Sequence, residues 1–62
     1  MLNNNASVRV TETDGGYAIE FVNNVGRHVD WFTKRDGSVK TWREAEHAMA
    51  VVGKYGWNVY QH

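Results

Sequence analysis

The side chains that could carry acid–base or metal chemistry are scattered along this chain. Its histidines, His28, His47 and His62, fall in separate segments with no shared spacing. A structural zinc site takes four Cys or His ligands in closely spaced pairs, and the chain has no cysteine. Glu44 and Glu46 stand two positions apart, which on a helix separates their side chains by about 200°. We therefore expect neither a metal site nor an acid–base pair of carboxylates.

Motifs for nucleophilic catalysis and for phosphate binding are also missing from the sequence. No serine or threonine lies in a G-x-S-x-G motif, and Gly15-Gly16 does not open a helix as a phosphate-binding loop does. A domain of 62 residues also has little room for a pocket of ~300 Å³ or more, the usual size of a small-molecule site. We expect a protein with no cofactor and no catalytic activity.

Aromatic residues form the first of two groups that suit binding. Tyr55, Trp57 and Tyr60 crowd the C-terminal segment, and Phe32 interrupts the polar face of a predicted strand. Tyr and Trp are typical anchors of protein interfaces. We predict that these four residues bind a protein partner. Closing the core is the alternative role for Trp57 and Tyr60.

The second group is basic and surrounds the predicted third strand. It comprises Arg27, His28, Lys34, Arg35, Lys40 and Arg43. Cations of this kind attract phosphates, and nearby rings such as Phe32 and Trp42 can stack on unpaired bases. Residues 27–43 contain five Lys or Arg and two Asp, a net charge of +3. The rest of the chain contains two Lys or Arg and five Asp or Glu, a net charge of −3. Nucleic-acid binding is therefore the alternative hypothesis. The net charge of zero counts against it, because nucleic-acid-binding domains usually carry a basic excess.

The only clear helical period in the sequence lies at residues 41–56. Apolar residues recur there three or four positions apart, on one face: Trp42, Ala45, Ala48, Met49 and Val52. Thr41 is predicted as the N-cap, and Glu44 three residues later would complete a capping box. Gly53 and Gly56 are both candidates for the left-handed residue that ends the helix.

Segments on both sides of this helix alternate polar and apolar residues, as half-buried strands do. Three strands are predicted before the helix and one after it: 7–13, 17–22, about 28–34, and 57–61. Turn residues separate them, above all Asp14-Gly15-Gly16. On the third strand, the pattern predicts Val29 and Trp31 facing the core and Phe32 facing the other side.

Together these elements predict an α+β fold in the order β-β-β-α-β. A small antiparallel three-stranded meander would carry the helix on one face, with a short C-terminal edge strand parallel to the first or third. Residues 1–6 are expected to form a flexible end, and residues 7–62 a single domain. The core is predicted from the inward positions Val8, Val10, Tyr17, Ile19, Phe21, Val29, Trp31, Ala45, Ala48, Met49, Val52, Trp57 and Val59.

Composition also bears on location and self-association. No apolar run approaches the ~20 residues needed to span a bilayer, and the opening MLNNNAS lacks the regions of a signal peptide. We expect a soluble, cytoplasmic protein with no membrane partner. A chain this short buries only about 60% of its unfolded surface. We therefore predict a homodimer in which two C-terminal edge strands pair and cover Trp57 and Tyr60.

The segment VKTWREAEHAMAVV, preceded by three strands, resembles the end of a known three-stranded DNA-binding module. This module occurs in phage integrase arm domains and in AP2-type domains, where the sheet reads the major groove and a helix backs it. The likeness covers residues 7–52 in layout, and the pattern KT-x-x-EAE-x-A in residues. It implies DNA binding through the sheet.

In size, in lack of cysteine and in its compact α+β layout, the chain resembles small inhibitors encoded by phages. These include anti-CRISPR proteins and short inhibitors of bacterial RNA polymerase. The resemblance implies a protein that binds a host protein or complex and blocks it.

Overall fold

The computed structural model describes residues 6–61, which form five strands and one helix. In chain order these are β1 (Ser7–Thr13), β2 (Gly16–Val22), β3 (His28–Trp31), β4 (Thr41–Trp42), α1 (Ala45–Tyr55) and β5 (Asn58–Val59). The predicted α+β class and β-β-β-α-β order are confirmed, with the short strand β4 as an addition. The flexible end expected at residues 1–6 lies outside the described residues except for Ala6, as does His62.

The sheet is mixed and has the order β3-β2-β1-β5, with β4 also paired to β2. β1 and β2 form an antiparallel hairpin in which Ser7 lies opposite Val22. β5 runs parallel to β1 at the edge of the sheet, as predicted. The N–H of Tyr60 donates to the carbonyl of Val8 at 2.8 Å. None of residues 6–61 belongs to a helix long and apolar enough to cross a membrane.

β3 and β4 share one side of β2 because the chain leaves the sheet between them. Trp31 of β3 lies opposite Glu20, and Thr41 of β4 lies opposite Ala18. Between these strands, Thr33 bridges to Val39 and closes the 33–39 hairpin. This hairpin therefore projects from the middle of one side of the sheet.

Helix α1 begins later than its sequence period predicts. Thr41 and Trp42 form β4 and pair with β2, so Thr41 does not cap the helix. The N-cap position belongs to Glu44, which makes no side-chain cap hydrogen bond. The reason is tertiary. Backbone groups of β2 beyond its pairing with β3 need partners, and β4 supplies them.

Of the two glycines predicted as the left-handed residue that ends the helix, the structure confirms Gly56. Gly56 has φ 74° and ψ 20°, the left-handed conformation of a C-cap. Its N–H donates to the carbonyl of Gly53, and the N–H of Trp57 donates to that of Val52 at 3.1 Å. The chain thus turns back over the sheet directly after Tyr55.

The core lies between α1 and the inner face of the sheet, defined here as the face on which the helix packs. Its fully or almost fully buried residues are Val8, Ile19, Ala48 and Val52. Val29, Met49 and Val59, which were predicted to be core residues, are exposed. Val29 and Val59 belong to the two edges of the sheet, and the helix turns Val51 rather than Met49 toward the core.

The predicted faces of Trp31 and Phe32 are also wrong. Cross-strand partners share a face of the sheet. Trp31 lies opposite Glu20 and so belongs to the outer face, away from the helix. Phe32 donates its N–H to the carbonyl of Ile19 and packs against the buried core. The pairing with β2, rather than the pattern of β3 alone, decides which side chains point inward.

Candidate functional site

Four aromatic side chains continue the core toward the surface and form what we call the aromatic cluster: Phe32, Trp42, Tyr55 and Trp57. Phe32 is central, with its ring centroid 6.0 Å from Trp42, 6.2 Å from Tyr55 and 5.6 Å from Trp57. Tyr55 and Trp57 stack at 4.7 Å with an interplanar angle of 17°. Three segments distant in sequence thus build one set of rings.

The aromatic cluster is partly open to solvent. Tyr55 is 48% exposed, and the other three rings are half-buried. Trp57 is anchored from beneath by Phe21, whose ring meets it edge-on at 4.9 Å. The ammonium of Lys40 lies 5.6 Å from the centroid of the Trp42 ring, within the range of a cation–π contact. The cluster therefore presents aromatic surface with a cation at its border.

The structure brings together three of the four residues predicted to bind a protein partner. Phe32, Tyr55 and Trp57 are in the aromatic cluster, but Tyr60 is not. A Cβ built on Gly26 would lie 2.6 Å from the Tyr60 ring, so that ring lies against the turn after β2. Trp42 also belongs to the cluster; the sequence placed it on the apolar face of the predicted helix and beside the basic group, but not among the residues predicted to bind a protein.

A second group of side chains lies on the outer face and centres on Glu20, whose side chain is only 9% exposed. The Nε of Arg9 and the Oγ1 of Thr11 donate to Oε1 of Glu20 at 3.1 Å and 3.0 Å. The Nδ1 of His28 lies 2.8 Å from the other oxygen, Oε2. We call Arg9, Glu20, His28 and Trp31 the outer-face cluster.

Hydrogen bonding keeps the buried Glu20 in its charged form. Burial by itself raises the pKa of this carboxyl group. The hydrogen bonds from Arg9, His28 and Thr11, together with the charge of Arg9, outweigh burial and leave the pKa of Glu20 below its ordinary value. At neutral pH the group is therefore a carboxylate, which holds Arg9 and His28 on either side of it.

The outer-face cluster also includes an aromatic contact. The rings of His28 and Trp31 lie 5.0 Å apart with an interplanar angle of 53°. The alternation of the second strand predicts that Glu20 faces outward, but nothing in the sequence marks it as a functional residue. The signal that could have found the cluster is the short turn at Asp14-Gly15, because it sets the hairpin register that puts Arg9 opposite Glu20.

Comparisons of this chain with protein-family models, with curated proteins and with solved structures give no match. A function for the two clusters must therefore be proposed from their own chemistry.

The basic residues predicted to bind nucleic acid do not converge on one surface. His28 contacts Glu20 on the outer face, whereas Lys40 lies over Trp42, which packs on the core of the inner face. Lys34 and Arg35 are in the 33–39 hairpin. Arg27 and Arg43 are exposed. The set is thus divided between both faces and the hairpin.

Glu44, Glu46 and His47 are closer together than the helical spacing predicts. Their potential ligand atoms lie within 4.8 Å of one another, and Nε2 of His47 is 3.9 Å from Oε1 of Glu44. Glu44 has φ −128° and ψ 144° and precedes the helix, so the expected 200° separation does not apply. All three residues are exposed, and exposed carboxylates commonly lie together without an ion.

Proposed function

We propose that this chain is a non-enzymatic binding protein that holds a protein partner on its aromatic cluster. The observation that carries this proposal is the state of Tyr55, which is stacked on Trp57 and yet 48% exposed. A ring that is already ordered loses little conformational freedom when a partner covers it. Tyr and Trp also dominate the residues that contribute most to protein–protein affinity.

The charges beside the aromatic cluster suggest the chemistry of the partner surface. Lys40 borders the cluster at Trp42, and Lys54 precedes Tyr55 at the exposed end of the helix. An apolar partner patch with acidic residues at its rim is complementary to this arrangement. Binding there would block the partner by occupying its surface, the action that the likeness to small phage inhibitors implies.

Affinity capture from a bacterial lysate tests the proposal when three versions of the chain are compared. We expect the wild-type chain to retain one protein stoichiometrically, and Tyr55→Ala to lose it because the exposed ring is removed. Val25→Ala is the matched control, since it also truncates an exposed apolar side chain. Nuclease treatment should leave the capture unchanged.

Two results would contradict this function. Equal retention by wild type and Tyr55→Ala would show that the aromatic cluster does not hold the partner. Turnover of a metabolite or nucleotide that a point substitution abolishes would show that the chain is an enzyme.

A second copy of the chain is another partner that the fold suits, because β5 lies at the edge of the sheet with Val59 exposed. Pairing of two such edges would satisfy unpaired backbone groups. Sedimentation equilibrium should then show a dimer that Val59→Lys weakens and that Lys54→Ala leaves unchanged. A monomer at all concentrations up to the millimolar range would refute the dimer.

A further inference from the structure

The outer face of the sheet has a different charge from the inner face. β1 to β3 contain three acidic residues, Glu12, Glu20 and Asp30. Glu12 lies opposite Tyr17 and Asp30 lies opposite Phe21, so both belong to the inner face. Glu20 alone belongs to the outer face, where it is buried beneath its hydrogen-bond partners.

Arg9 and His28 remain accessible on the outer face although both contact Glu20. The side chains of Arg9 and His28 are 40% and 42% exposed. Each uses one nitrogen for the carboxylate, Nε in Arg9 and Nδ1 in His28. The terminal guanidinium nitrogens of Arg9 and Nε2 of His28 are not used for Glu20, and Nε2 can donate a hydrogen bond when the ring carries both protons. Glu20 positions the Arg9 guanidinium and the His28 ring on either side of its carboxylate, on a surface that α1 does not cover.

An indole ring flanks His28 on the same face. Trp31 is half-buried, and its ring centroid lies 5.0 Å from that of His28. A guanidinium and an imidazole with an indole ring beside them match a chain of phosphates that alternate with flat bases. Only unpaired bases offer their faces for stacking on protein rings.

We propose that the outer face binds a single strand of nucleic acid. Arg9 and His28 contact the phosphates, Trp31 stacks on a base, and Glu20 holds the two phosphate-binding side chains in place. This site is separate from the aromatic cluster, which belongs to the inner side of the sheet. It also differs from the predicted basic group, with which it shares only His28.

Fluorescence anisotropy with a labelled oligothymidylate and a labelled oligouridylate, each of about 12 nucleotides, tests this proposal. We expect both to bind the full chain at low salt, more tightly than a duplex of the same length. Trp31→Ala should weaken binding between about 5-fold and about 150-fold, the range measured for one stacked base. Trp31→Phe, which keeps a ring, should restore most of the affinity.

The salt dependence tests the phosphate contacts separately. Arg9→Gln should reduce the slope of log affinity against log salt concentration by about 0.7, the value for one phosphate contact with a single strand. Lys54→Ala is the matched charge control, because Lys54 is in α1 on the other side of the sheet, and it should keep the wild-type slope. Circular dichroism of each variant separates loss of binding from loss of fold.

Three outcomes would overturn the proposal. They are an absence of binding to either oligonucleotide at low salt, duplex binding as tight as single-strand binding, and wild-type affinity in a folded Trp31→Ala variant. A preference for one oligonucleotide would identify the strand as DNA or RNA and would support the proposal.

Discussion

Tyr55 and Trp57 stack with their ring centroids 4.7 Å apart and their planes only 17° apart. A continued helix would separate side chains two positions apart by about 200°. The residue between them, Gly56, takes the left-handed conformation and reverses the chain. The helix C-cap thus assembles the exposed part of the aromatic cluster.

Substitution of the C-cap should therefore reduce both stability and ring stacking. Gly56→Ala places a Cβ in open space but at φ 74°, so we expect a loss of about 1–2 kcal/mol in the free energy of unfolding. Gly53→Ala, within the helix and equally uncrowded, should gain about 0.5–1 kcal/mol. Urea unfolding measures both changes. Equal effects of the two substitutions would argue against the special role of Gly56.

The close approach of β4 to β2 makes a second glycine sensitive. A Cβ on Gly16 would lie 2.5 Å from the backbone oxygen of Trp42, at φ 126°. Because a backbone atom cannot move aside without breaking the β2–β4 pairing, we expect Gly16→Ala to cost about 2–4 kcal/mol. Gly37→Ala has positive φ but no atom within 4 Å and should cost about 1–2 kcal/mol. Thermal unfolding that ranks Gly37→Ala as the more damaging change would contradict this geometry.

Acid should destabilise the fold through Glu20. Its pKa in the folded protein is lowered below its ordinary, unfolded value by hydrogen bonds from Arg9, His28 and Thr11, which outweigh burial. The unfolded state then binds more protons, so the stability from Glu20 is complete above the unfolded pKa and is lost as the pH falls through the folded pKa. Glu20→Gln should flatten this part of the acid unfolding profile and cost about 1–3 kcal/mol at neutral pH.

The exposed Glu12 provides the control for the acid profile. Because Glu20 is still present in Glu12→Gln, this variant should lose stability on acidification as the wild type does. Urea unfolding at a series of pH values from about 6 to about 3, a range that spans the unfolded carboxyl pKa, gives the three profiles. A Glu20→Gln profile parallel to that of the wild type would refute the assignment.

The core assignment predicts a large contrast between two apolar residues. Ile19 is fully buried between the sheet and α1, whereas Val25 is exposed in the turn after β2. Ile19→Ala should cost about 2–5 kcal/mol through lost burial and a cavity. Val25→Ala should change stability by less than about 0.5 kcal/mol. Urea unfolding checks both values, provided that the dependence of the unfolding free energy on urea concentration is the same in each variant. Similar losses for the two variants would contradict the described core.

Several features of the fold could be predicted because local patterns specify them. Alternation along residues 7–13 and 17–22 indicates strands, and the glycine-containing turn between them indicates a hairpin. The apolar period of the helix and the glycine at its end depend only on neighbouring residues. A closing edge strand parallel to the first or third strand follows from chain order and from the handedness of crossovers, and the structure pairs β5 with β1.

The candidate sites could be predicted only in part. The crowding of rings near the C-terminus predicted Tyr55, Trp57 and Tyr60, and the alternation of the third strand added Phe32. That Trp42 belongs to the aromatic cluster and Tyr60 does not depends on contacts between distant segments. Glu20 is unremarkable in the sequence and becomes central only through Arg9 on β1 and His28 on β3.

Tertiary structure decided which face each residue of the third strand occupies and where the helix begins. A shift of register by one residue exchanges the two faces of a strand, and the pairing with β2 puts Trp31 outward and Phe32 inward. In the same way, β2 draws Thr41 and Trp42 into the sheet although their local pattern suits a helix start. The sequence by itself determined the helix, the four strands other than β4, and their order. The hydrogen bonding of β2 to segments distant in the chain decided which side chains meet, because unpaired backbone groups inside a sheet cost more free energy than a helix cap contributes.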